Sequence, residues 1–214
     1  MGKLNRFFTK SLTQNVAFVL FIVTLLISLV SGFMTMTKPI PDSIVVEPSG
    51  LSSMIIMAVA ACVIFAALKK NNPARSHLGV GAFLTLYIFE GISSFVLLIF
   101  NYYEAGIIDD LVPTSVMLIP LIEAVLAIIV VFGYLSKLGK NDPKKTGALV
   151  IRTICLLLCA YEVYEGLYTL ILGLKAAPEL LLYILSGMGG NLAVASIFFL
   201  LTCTATKLFA AEEQ

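Results

Sequence analysis

The sequence predicts an all-α integral membrane protein: a bundle of six transmembrane helices, both termini cytoplasmic, with short loops. Three observations predict it. Of 214 residues, 59% are hydrophobic and 13% are charged, where a soluble domain carries about 25% charge. The mean hydropathy is +1.01. Six apolar stretches then approach or exceed the roughly 20 residues a helix needs to cross the hydrocarbon core. This composition excludes a soluble enzyme, a disordered chain and a secreted disulfide scaffold. The net charge of +1 argues against nucleic acid as a partner.

The expected spans form one transmembrane domain over 1–214. They are 16–36, 51–68, 78–100, 111–135, 148–174 and 180–209. Barrel strands would be about ten residues long with alternating polarity. These runs are longer and do not alternate, so each is read as a helix that satisfies its own backbone in lipid. The first run has a rival reading. A basic start, an apolar core and Val30-Ser31-Gly32 resemble a cleaved signal peptide. The apolar run continues through Met34 and Met36, and this favours a retained anchor. The myristoylation pattern fails, because Arg6 follows Met1-Gly2 where Ser or Thr is required.

Basic residues set the orientation. With the N-terminus inside, Lys3, Arg6, Lys10, Lys69, Lys70, Arg75, Lys137, Lys140, Lys144, Lys145, Arg152 and Lys207 are cytoplasmic. Only Lys38 and Lys175 fall outside, joined there by Asp42, Glu47, Glu104, Asp109, Asp110 and Glu179. The expected location is the plasma membrane. Pro39, Pro41 and Pro48 stiffen the first outer loop. The sequence contains no P-loop. Work by this chain would draw on an ion gradient, a partner subunit such as an ATPase, or binding alone, and no cofactor is expected.

Cys62, Cys155, Cys159 and Cys203 all fall within spans and read as packing residues rather than disulfides. The single histidine, His77, stands at a cytoplasmic edge. It excludes a multi-histidine zinc site and a triad with its histidine in the membrane.

Four glutamates inside the spans carry the chemistry: Glu90, Glu123, Glu162 and Glu165. A charge at mid-bilayer costs about 2.5–3.5 kcal/mol on insertion scales, and no lysine or arginine lies deep enough to pair with them. Some must be protonated, hydrated or neutralised by a bound cation. Glu90, Glu123 and Glu165 stand 13, 14 and 13 residues from His77, Lys137 and Arg152. Each therefore lies about 20 Å from the inner boundary, with Glu162 one turn closer to the cytoplasm.

The fifth span supports an inward assignment. Arg152, Cys155, Cys159, Glu162, Gly166, Thr169 and Gly173 recur at alternating steps of three and four, which makes one helix seam. Small and polar faces pack against helices in membranes, whereas leucines such as Leu156, Leu157, Leu158, Leu170 and Leu172 face lipid. Tyr161, Tyr164 and Tyr168 form a second stripe, and aromatic rings beside carboxylates suit a cation, including an organic ammonium. In the sixth span, Ser186-Gly187-Met188-Gly189-Gly190-Asn191 either breaks the helix, as at transporter substrate sites, or packs closely against a neighbour. Asn191 belongs to the candidate site on the first reading. Pro120 is expected to kink the fourth span near Glu123.

Two basic Asn-Pro turns, Lys70–Arg75 and Lys140–Lys145, each precede an aromatic-Glu-Gly triplet, Phe89-Glu90-Gly91 and Tyr164-Glu165-Gly166. A parallel duplication would make Glu90 and Glu165 equivalent. The proline-to-glutamate spacings differ, 17 against 22, and basic Asn-Pro turns are common.

Three functional readings follow. The leading one is a small transporter, or the membrane subunit of one, whose carboxylates bind a proton, an inorganic cation or a small cationic solute. The alternative is a non-catalytic accessory protein whose protonated glutamates hold helices together. The third is an intramembrane metal-dependent enzyme using oxygen ligands. Against it stands the absence of a His-Glu helix motif or a nucleophile elbow, so a non-enzyme is expected.

Overall fold

A computed structural model of the chain describes residues 3–36, 50–105, 118–138, 145–176 and 178–210. Among these, every regular element is helical. The helices are α1 (Lys3–Thr9), α2 (Ser11–Met36), α3 (Gly50–Lys69), α4 (His77–Ala105), α5 (Ile119–Leu138), α6 (Lys145–Ala176) and α7 (Leu181–Ala210). Short 3₁₀ turns at Pro73–Ser76 and Pro178–Leu180 lead into α4 and α7.

Five helices among the described residues, α2, α3, α4, α6 and α7, are long and apolar enough to cross a membrane. The expected fourth span, 111–135, is met only in part. Residues 111–117 lie outside the described residues, and the apolar part of α5, Ile119–Tyr134, is too short to count by itself. Large apolar side chains such as Phe33, Leu78, Phe89 and Phe132 are exposed on the outer surface. A soluble monomer rarely exposes contiguous apolar patches of this kind, and lipid is the solvent that suits them.

The helix ends follow local chemistry. The chain leaves α3 through Asn71, whose φ of 50° lies in the left-handed region that asparagine tolerates better than most residues. Pro73 then cannot continue the helix. The Asn71 amide donates to the Leu68 carbonyl, and so does Lys207 Nζ from α7, at 3.0 Å. Cationic groups on terminal carbonyls complement the helix dipole. Between α1 and α2, Gln14 is buried and donates to the Phe8 and Thr9 carbonyls, satisfying acceptors that the end of α1 leaves open.

The core forms around α7. Helices α2, α3 and α6 pack on it, α4 packs on α3 and α5, and α5 packs on α6. Ile197, Phe198, Leu200 and Leu201 of α7 are fully buried. Phe198 meets the edges of Phe83 and Tyr87 from α4, with ring centroids 5.1 and 4.9 Å away.

Close approach to α2 depends on the glycine run in α7. A Cβ at Gly189 would stand 2.8 Å from both Ser28 N and Thr24 O, a contact that backbone cannot relieve. One residue triplet away, Ser28 Oγ donates to the Ser186 carbonyl at 2.8 Å, and Ser186 Oγ returns a bond to the Ser28 carbonyl at 3.2 Å. These bonds join two helices across a lipid-free seam. Of the two readings of the sixth span, close packing holds and the break does not: α7 is continuous from Leu181 to Ala210, and Gly189 serves interhelical contact. The expected kink at Pro120 is corrected. Pro120 is the second residue of α5, where its missing N–H removes no intrahelical bond.

Candidate functional site

Helices α4, α5 and α6 bring the four glutamates to one region. Gly91 makes this possible on one side, since a Cβ there would meet the Pro120 carbonyl at 2.9 Å and the Ala124 methyl at 3.3 Å. Neighbouring Glu90 and Glu123 ride on that close α4–α5 contact. On α6, the predicted seam turns inward: Cys155, Glu162 and Gly166 are buried, and Arg152, Cys159, Thr169 and Gly173 are half-buried. Two leucines depart from the expected lipid face: Leu158 is buried, and half-buried Leu156 packs against the core.

Glu162 is the centre of the group. It is 7% exposed, and the fields of Glu123, Glu165 and Glu90 all reach it. Its hydrogen-bond donor is Tyr87 of α4, whose hydroxyl lies 2.7 Å from Glu162 Oε1. The same hydroxyl lies beside Glu123. A phenol has a single proton to donate, and Tyr87 gives it to Glu162. Glu123 Oε1 is left buried without a partner among the described residues.

The two remaining carboxylates are better supplied. Ser53 of α3 donates to Glu90 Oε1 at 2.6 Å in an exposed bond. Tyr161 donates to Glu165 Oε1 at 2.7 Å, one turn along α6. The field of Glu165 also reaches Glu123.

The other predicted site residues are placed less centrally. Tyr164 is 57% exposed, and its ring neighbours are Tyr161 and Tyr168, with the Tyr168 ring stacked at 5.6 Å. The tyrosine stripe thus turns outward after Tyr161. Asn191 is half-buried on the unbroken α7 and, among the described residues, makes no hydrogen bond to the carboxylates. Two residues that complete the site, Tyr87 and Ser53, carry no mark in the sequence that separates them from other span residues. Among the described residues, no three His, Cys, Asp or Glu side chains converge closely enough to hold a metal ion. Residues 140–144 of the second Asn-Pro turn lie outside the described residues.

Chemically, the arrangement is a chain of oxygens, Glu123–Tyr87–Glu162, flanked by two further carboxylates. A proton on Glu123 could be donated to the Tyr87 oxygen while Tyr87 donates to Glu162. A cation could take the same place between the two carboxylates. The sequence matches no protein-family model, and neither a curated protein nor a solved structure matches it.

Proposed function

We propose that this chain is a small multi-pass membrane transporter, or the membrane subunit of one, and that its carboxylates bind a proton or a small cation at mid-membrane. In this reading α5 and the residues preceding it complete a sixth span. Both termini face the cytoplasm of a plasma-membrane protein, as the basic residues require. The chain is not an enzyme, and its energy comes from an ion gradient or a partner subunit such as an ATPase.

One observation carries the reading. Two carboxylates from different helices share a single phenol, and one of them keeps a buried oxygen without a donor. In hydrocarbon such an oxygen is costly unless a proton or a cation meets it. The lack of a three-ligand cluster among the described residues favours a proton or an organic ammonium over a tightly ligated metal ion. A second reading, an accessory protein held together by its glutamates, is favoured by the interhelical Ser53–Glu90 bond and the local Tyr161–Glu165 bond.

Thermal unfolding of the detergent-purified protein across pH and a panel of alkali cations and amines separates the two. A ligand that binds only the folded state raises its apparent stability by mass action. The transporter reading expects one cation or amine to stabilise the wild type, more at higher pH because protons compete for the same oxygens. It expects Glu162→Gln and Glu165→Gln to lose that response. If no ligand stabilises the wild type, and both variants are as stable or more stable, the accessory reading holds.

A further inference from the structure

Helices α2 and α6 both pack on α7 and leave a groove between them, whose lining includes none of the four glutamates. It has a volume of about 480 Å³, within the range of ligand sites. Val16 and Leu20 of α2 form one wall, Val163 of α6 the other, and Leu192 and Phe199 of α7 the floor. Phe7 of α1 closes one end and sets its ring edge-on to Phe199 at 6.5 Å. Leu20 and Val16 are about half exposed, so the groove opens sideways towards lipid.

Its length and its charged end identify an occupant. Along α2 the lining runs from Leu12 to Thr24, about 18 Å at 1.5 Å per residue. One leaflet of a bilayer contributes about 15 Å of hydrocarbon. The groove therefore matches one acyl chain of the leaflet at the α1 end, not a spanning helix.

At that end the chain is basic. Arg6 and Lys10 are exposed on either side of Phe7 and Phe8. Arg152 stands two turns before Cys159, a lining residue, on the same seam of α6. It reaches α1 by a hydrogen bond to Asn5 Oδ1. Lys69 donates to Ser11 Oγ beside the first lining residue of α2. Both acceptors, Asn5 Oδ1 and Ser11 Oγ, are neutral oxygens, and a guanidinium or ammonium has further donors to offer.

We infer that the groove binds an anionic phospholipid, with one acyl chain along α7 and its phosphate among Arg6, Lys10 and Arg152. The apolar walls supply contact for the chain, and the basic end selects the headgroup. Such a lipid would brace α1 and α2 against α6, where the helices leave α7 uncovered. None of the four glutamates lines this site, and it does not depend on the transport reading.

The chain contains no tryptophan, so a single introduced indole reports on the groove. Leu20→Trp places one on the groove wall. Val19→Trp places one on the exposed face of α2 outside the lining. The full-length protein in neutral detergent is titrated with brominated phosphatidylglycerol and, separately, brominated phosphatidylcholine. Quenching at position 20 is expected at about tenfold lower phosphatidylglycerol than phosphatidylcholine, whereas position 19 shows no preference. Adding Arg6→Gln and Lys10→Gln should weaken the phosphatidylglycerol response at position 20 by roughly fivefold for each basic residue removed. Equal quenching by the two lipids at position 20, or an unchanged response in the glutamine variants, overturns the proposal. So does efficient disulfide cross-linking of Leu20→Cys between two chains, which would make a second copy the occupant. If Leu20→Trp does not fold, Val163→Trp on the facing wall serves the same comparison.

Discussion

Tyr87 joins three kinds of physics in one side chain. Its ring packs edge-on against Phe198 in the core, and its hydroxyl supplies the buried Glu162. Tyr87→Phe keeps the ring and deletes the donor. Leaving a buried acceptor unsatisfied costs about 1–3 kcal/mol, so this variant should unfold at a clearly lower temperature in detergent. Tyr161→Phe deletes a bond made one turn along a half-buried helix face, where both partners are less desolvated than Glu162. Its loss should be smaller, below about 1 kcal/mol. Equal losses would place Glu162 in a wetter site than its burial implies. The candidate carboxylates were legible in the sequence because charges in apolar runs are conspicuous. Tyr87 and Ser53 were not, because a tyrosine or serine in a span looks the same whether it faces a carboxylate or a leucine.

At the scale of the helix, glycine decides which elements touch. Gly189 lies against Ser28 N and Thr24 O of α2, so a methyl group has nowhere to go. Gly189→Ala should destabilise by about 1–3 kcal/mol, the usual cost of overpacking, and weaken the reciprocal Ser28–Ser186 bonds. Gly81→Ala is the contrasting case. Nothing lies within 4 Å of its Cβ position, and alanine favours a helix over glycine by about 1 kcal/mol. That variant should be neutral or stabilised in the same unfolding experiment. The pair also explains why the glycine run does not break α7. Helix propensity opposes Gly187, Gly189 and Gly190, but the contact with α2 outweighs it, and propensity alone cannot see a partner more than 150 residues away.

For the molecule as a whole, orientation is the most direct property to test. Arg75→Cys and Lys38→Cys lie in adjacent connections that the basic residues assign to opposite sides. An impermeant maleimide added to intact cells should label Lys38→Cys, and should label Arg75→Cys only after the membrane is opened. Labelling of both from outside intact cells would mean that α3 does not cross the membrane. The assembly around α7 also keeps the four glutamates out of the groove lining, although Cys159 of the Glu162 seam enters it. Glu162 turns towards α4, and Val163, the next residue, turns towards α2.

The sequence by itself determined the helical class, the apolar lengths and the inward seam of α6, and it set the expected depth of each glutamate. Each of these is a one-dimensional quantity: a run length, a count from a basic anchor, or a period along one helix. Tertiary structure alone decided that α7 is the central helix, that Gly189 serves a contact rather than a break, and that Tyr87 stands between Glu123 and Glu162. It also decided that α2 and α6 part to leave a groove. These depend on which helix faces which, and in an apolar chain nearly every face is hydrophobic. Hydrophobicity therefore cannot choose the partners, and close packing and a few interhelical hydrogen bonds make the choice instead.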